Sequence, residues 1–93
     1  MMTSLSQAFA TNLKARMVVL HLTRVEVAKR ANISRNTVNS LCSGKSKMIK
    51  FSTVAGLAKG LNCKPEHFFS EDMEWSVYKW ANDYQKKEGT DND

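Results

Sequence analysis

The 93-residue sequence contains no apolar run near the roughly 20 residues that a bilayer-spanning helix needs, so a membrane protein is not expected. Its N-terminus lacks the basic cluster, apolar core and small-residue cleavage site of a secretory leader, which points to the cytoplasm. There are only two cysteines, Cys42 and Cys63, and both sit inside apolar patterns rather than a spaced framework. They read as small buried hydrophobes in a reducing compartment. Together with His21 and His67 they lack the short paired intervals of a structural zinc motif, so no metal is expected. No Gly-rich phosphate loop, paired acid–base carboxylates or Ser-His-Asp arrangement is present, so neither catalysis nor a cofactor is expected. Ser34 and Ser40 read instead as a helix cap and a surface contact. Internal repeats and Pro-rich or Ser-rich linkers are also missing.

Acidic residues are scarce in most of the chain. Residues 1–70 carry eleven Lys and Arg against only Glu26 and Glu66, a net +9, whereas residues 71–93 carry three Lys against seven Asp and Glu, a net −4. A basic body with an acidic tail is an electrostatic footprint suited to nucleic acid. The same asymmetry divides the chain into a body of residues 1–71 and an aromatic, acidic extension of residues 72–93. A hydrophobic fraction of 42% supports a globular fold, and the length confines it to one small core.

The periodicity is helical throughout, with no convincing period-two alternation. Phe9, Leu13, Met17 and Leu20 mark a first amphipathic helix, capped by Ser4 or Ser6. Thr23 and Glu26 have the spacing of a capping box for a second helix, whose inward face is Val27, Ala28 and Ala31. Asn32 tolerates the left-handed conformation and ends that helix. Ile33 follows as an apolar anchor, and Ser34 caps a third helix that buries Val38, Leu41 and Cys42 and stops at Ser43-Gly44. A basic loop runs from Lys45 to Lys50. Ser52 is the expected cap of a fourth helix burying Val54, Leu57, Ala58 and Leu61, ended by Asn62. Pro65 suits the first position of a short fifth helix carrying Phe68 and Phe69. Met73, Val77, Trp80 and Tyr84 give residues 73–87 the spacing of one more helix, before a polar terminus.

The informative stretch is TRVEVAKRANISRNTVNSLCSG, from Thr23 to Gly44: two short helices separated by a tight turn, an arrangement suited to groove reading. With Ile33, Val38 and Leu41 holding the third helix on the body, Arg35, Asn36, Asn39, Ser40 and Ser43 are left facing outward. That face is polar and has no carboxylate, which suits base edges and phosphates.

On these residues the chain resembles the lambda-repressor and Cro-type helix-turn-helix family. The resemblance covers about Leu13 to Phe69 and takes in HLTRVEVAKRANIS, RNTVNSLCSGKSK, the fourth-helix segment STVAGLAKGLN and the closing CKPEHFF. It implies an all-α, five-helix DNA-binding domain, here with a C-terminal helical extension. It also implies base reading by Arg35 and Asn36, at the start of the third helix, and by Asn39 and Ser40 one turn further on. Arg can bond guanine O6 and N7, and Asn adenine N6 and N7. Contacts to the DNA backbone are expected from Arg24, which stands where the family usually has Gln, and from Ser34, Thr37, Ser43, Gly44, Lys45, Lys47 and Lys50. Asn32 replaces the usual turn glycine. Met17 and Cys42 replace a common Arg–Glu pair, an exchange consistent with apolar packing.

Trp75, Val77, Tyr78, Trp80 and Tyr84 are a dense aromatic set that completes the thin core, builds a dimer interface or does both. Phe68 and Phe69 of the fifth helix are further dimer candidates beside Trp75, Tyr78 and Trp80. Operators read by such proteins are usually two-fold symmetric, so a homodimer on palindromic double-stranded DNA is expected, without a small-molecule ligand. The expected role is a transcriptional regulator acting as a repressor; a restriction–modification controller or an antitoxin would share the binding mode. From another class, the bundle could serve as a protein-interaction module. RNA binding has less support, because the basic surface lacks exposed aromatics for stacking.

Overall fold

A computed structural model describes residues 4–78 of the chain, and among them it is all-helical, without strands. Four α-helices, α1 (Leu5–Leu20), α2 (Arg24–Ala31), α3 (Arg35–Ser43) and α4 (Phe51–Gly60), precede two 3₁₀ segments, Pro65–Phe69 and Trp75–Val77.

Helix starts follow local hydrogen bonding. Ser4 caps α1 in a capping box with Gln7, each supplying a 3.1 Å bond to the other's backbone N–H. Thr23 and Glu26 do the same for α2, at 3.2 and 2.7 Å. Those bonds from Thr23 hold the Glu26 carboxyl below its ordinary range. Ser34 caps α3 through the Thr37 N–H. The cap of α4 is Lys50, two residues before the expected Ser52, and it makes no side-chain bond. Ile49 explains the earlier start. Ile49 packs on the core just before the cap, and Val54 is buried five residues after Ile49, the N′-to-N4 spacing of a hydrophobic staple.

Three of the four α-helices, α1, α2 and α4, end in the same way. His21, Asn32 and Asn62 are left-handed, with φ of 57°, 58° and 57°. In each case the following residue reaches back: Leu22 to Met17 O, Ile33 to Ala28 O and Cys63 to Ala58 O, at 3.0, 3.0 and 2.9 Å. These are Schellman motifs, and they satisfy carbonyls that the helix leaves open.

The core gathers Phe9, Leu13, Met17, Val27, Val38, Leu41, Leu57, Leu61 and Phe68 among others, with both cysteines as buried free thiols. Helix α4 crosses the end of α2 at very close range. A Cβ on Gly56 would lie 2.8 Å from the Ala31 carbonyl oxygen, and one on Gly60 would lie 2.9 Å from that of Arg30. Only a residue without Cβ fits either position.

The segment expected as a fifth helix is a five-residue 3₁₀ helix. It does not wind further because the Phe68 and Ser70 carbonyls both accept from Asn12 Nδ2 at 2.7 Å. The extension also departs from its expected pattern. Residues Trp75–Val77 form one 3₁₀ turn, Val77 is 66% exposed, and Trp75, outside the 73/77 spacing, is 3% exposed. Trp75 is drawn in by Asn12 Oδ1, 2.8 Å from its Nε1, and by the Phe68 ring. Trp80 and Tyr84 lie outside the described residues.

Among the described residues Arg16 is the largest fully buried side chain. It donates through Nε to Leu61 O at 2.9 Å and through Nη2 to Asn62 O at 3.0 Å, beneath the Trp75 and Tyr78 rings. Asn12 and Arg16, one turn apart on α1, thus tie the chain beyond α4 to the first helix.

Candidate nucleic-acid interface

Helix α3 is pinned by Val38, Leu41 and Cys42, and its opposite side stands in solvent. Arg35, Asn36, Asn39, Ser40 and Ser43 are all exposed there. The capped start of the helix, with Arg35 and Asn36, borders a shallow depression against Val25 and Lys29 of α2 and the turn residue Asn32. Its N-terminal dipole and the absence of any carboxylate on α3 favour an anionic partner.

The expected contact residues do not all stand free. Ser34 Oγ accepts the Thr37 N–H and bonds the Thr37 hydroxyl at 2.9 Å, so this pair shapes the helix start. Arg24, exposed at the first position of α2, donates from Nη1 to Asn39 Oδ1 at 2.8 Å. Ser43 Oγ donates to Ser40 O and accepts the Lys45 N–H, closing the turn around Gly44. Lys45, Lys47 and Lys50 are exposed along the loop that follows.

Two contributors escaped the sequence reading. Ser46 bonds both the hydroxyl and the carbonyl of Ser40 at 3.1 Å, and its own carbonyl accepts from Ser6 of α1. It thereby fixes the basic loop to α3 and α1. Lys14 is exposed on α1, beside Ser43 and Gly44 on one side and near Arg24 on the other. Neither stands within an apolar pattern, and α1 was read only for its buried face.

The aromatic set is largely internal. Phe68, a dimer candidate, and Trp75, a candidate for either the core or a dimer contact, are 0% and 3% exposed because they fill this chain's own core. Phe69 is half-buried with its ring 5.3 Å from that of Phe9. Half-buried Tyr78 accepts the Lys64 N–H and bonds His67 Nδ1 at 2.9 Å. Trp80 lies outside the described residues. Met17 and Cys42 are both buried in the core cluster, as apolar packing requires.

A helix presented by a short partner helix across a left-handed turn, with a basic polar outer face, defines a helix-turn-helix DNA-binding domain. The chain belongs to the Cro/C1-type helix-turn-helix DNA-binding domain family, whose sequence profile matches residues 3–70. No curated protein and no solved structure matches the chain significantly. Domains of this family are typically non-enzymatic. Among the described residues no helix is long and apolar enough to cross a membrane.

Proposed function

We propose that the chain is a transcriptional repressor that binds a palindromic operator as a homodimer, with α3 in the major groove. The carboxylate-free outer face of α3 carries this reading. Arg35 and Asn36 at its start and Asn39 and Ser40 one turn on offer the donors and acceptors that base edges need. Lys14, Lys45, Lys47 and Lys50 flank them for phosphates.

Length supports a dimer. The nine residues of α3 extend ~13 Å at ~1.5 Å per residue, about four base pairs, too few to define a unique site. Two copies related by a two-fold axis would read half-sites about 34–36 Å apart. Phe69 and Tyr78 retain exposed surface for such a contact. Repression follows from occupancy, because a bound dimer denies the site to other proteins.

Selection from random duplex DNA, followed by salt-titrated gel shifts, tests the proposal. A two-fold symmetric sequence should be enriched and bound with two chains per site. Affinity should fall with salt at a log–log slope of about −0.9 per phosphate contact. Failure to enrich any sequence would refute the reading.

A further inference from the structure

The link between Arg24 and Asn39 bears on which base is read. The two residues lie 15 positions apart on different helices, and both are exposed beside the reading face. A guanidinium can only donate. The Asn39 amide must therefore turn its carbonyl oxygen to Arg24, as the 2.8 Å Nη1–Oδ1 distance shows, and hold its NH₂ at the other end. Asn39 lies on the same helical face as Arg35 and Asn36, four and three residues after them.

An unengaged asparagine reads adenine with both ends, taking a hydrogen from N6 and giving one to N7. Here a cation already sits on the accepting end. An adenine or cytosine amino group approaching Oδ1 would meet like charge, whereas guanine O6 and N7 offer acceptors to the amide NH₂ and to the remaining guanidinium hydrogens. We propose that Arg24 is a specificity-determining residue acting through Asn39, and that the pair forms a donor-only surface selecting guanine over adenine at the base pair it faces. This rests on the major-groove reading given above. It departs from the simpler role of Arg24 as a phosphate contact.

The test is selection from random duplex DNA with the wild-type chain, Asn39→Ala, Arg24→Ala and Arg24→Gln. Asn39→Ala should lose preference at one base pair and so identify it. The wild-type chain should favour guanine there. Both Arg24 variants should move that same position toward adenine, by about tenfold in the guanine-to-adenine ratio, within the range one bidentate pair supplies. Preferences set by Arg35 and Asn36 should stay unchanged. Both side chains are exposed, so thermal midpoints should stay near wild type, and either Arg24 variant alone suffices. Uniform weakening of all sequences by the Arg24 variants, with the base at that pair unchanged, would overturn the proposal in favour of a phosphate contact. Wild-type selection of adenine there would overturn it too. A wild-type chain that enriches no sequence would instead remove the DNA-reading proposal itself, a result distinct from both.

Discussion

The indole Nε1 of Trp75 donates a 2.8 Å hydrogen bond to Oδ1 of Asn12, across 63 positions of sequence. Because Asn12 Nδ2 is shared by the Phe68 and Ser70 carbonyls, one amide satisfies three partners in a buried site. Trp75→Phe keeps most of the ring but leaves Oδ1 without its donor, and should cost about 1–3 kcal/mol. Trp75→Ala adds a cavity and should cost about 3–5 kcal/mol. Urea denaturation of both variants checks the difference.

Arg16 holds a buried charge with carbonyls and ring faces, and burial lowers its pKa from the ordinary arginine value. Arg16→Lys should not rescue the fold, since a point charge on a flexible stem cannot reproduce two directed bonds and a flat stacking surface. We expect Arg16→Lys to melt well below wild type and close to Arg16→Ala. A lysine variant of wild-type stability would show that charge alone suffices.

Gly56→Ala places a methyl group 2.8 Å from the Ala31 carbonyl oxygen, so α2 and α4 must separate. Overpacking of this kind costs about 1–3 kcal/mol. Ala55→Gly, one position away on an exposed site, provides the control: it should lose about 1 kcal/mol from helix propensity alone. Thermal denaturation separates the two causes by comparing Gly56→Ala with the double variant.

Burial pushes the Cys63 thiol up to about 12 from an ordinary 9.0, and desolvation also raises that of Cys42. At neutral pH neither should react with a thiol reagent until the chain unfolds, so labelling should track denaturant. The folded state holds the Cys63 proton more tightly than the unfolded state. This contribution to stability is complete below pH 9.0 and declines as pH rises toward 12. Cys63→Ala should flatten that alkaline decline.

For DNA, Arg35→Ala and Asn36→Ala should each weaken operator binding by about 1–3 kcal/mol and relax preference at particular base pairs. Lys45→Ala should weaken operator and random DNA alike and reduce the salt slope by about one. Competition gel shifts at two salt concentrations distinguish the patterns.

What was legible in the sequence was local. The Thr23–Glu26 box, the Ser34 cap and the turn at Asn32 each involve residues within a few positions, and the structure has all three. The buried faces of α2, α3 and α4 followed from helical spacing in the same way. Lys50 displaced Ser52 as a cap because core packing of Ile49 set where α4 begins. Spacing misled at Met73 and Val77, where the burial of Trp75 depends on Asn12, 63 positions earlier. Asn12 and Arg16 themselves interrupt an apolar face, and nothing near them in sequence states which carbonyls they would meet. The Arg24–Asn39 bond was hidden for a related reason: each residue was legible as a DNA contact, but their pairing depends on how α2 crosses α3.

The turn at Asn32 has a consequence for binding. Asparagine, unlike glycine, has few alternative backbone states, and the two bonds closing the turn, Asn32 to Lys29 O and Ile33 to Ala28 O, hold it in one of them. The angle at which α3 leaves α2 is therefore settled before DNA arrives. Under the proposed major-groove reading, docking then costs little conformational entropy at the hinge, so the surface is pre-organised and more of each base contact would survive as affinity.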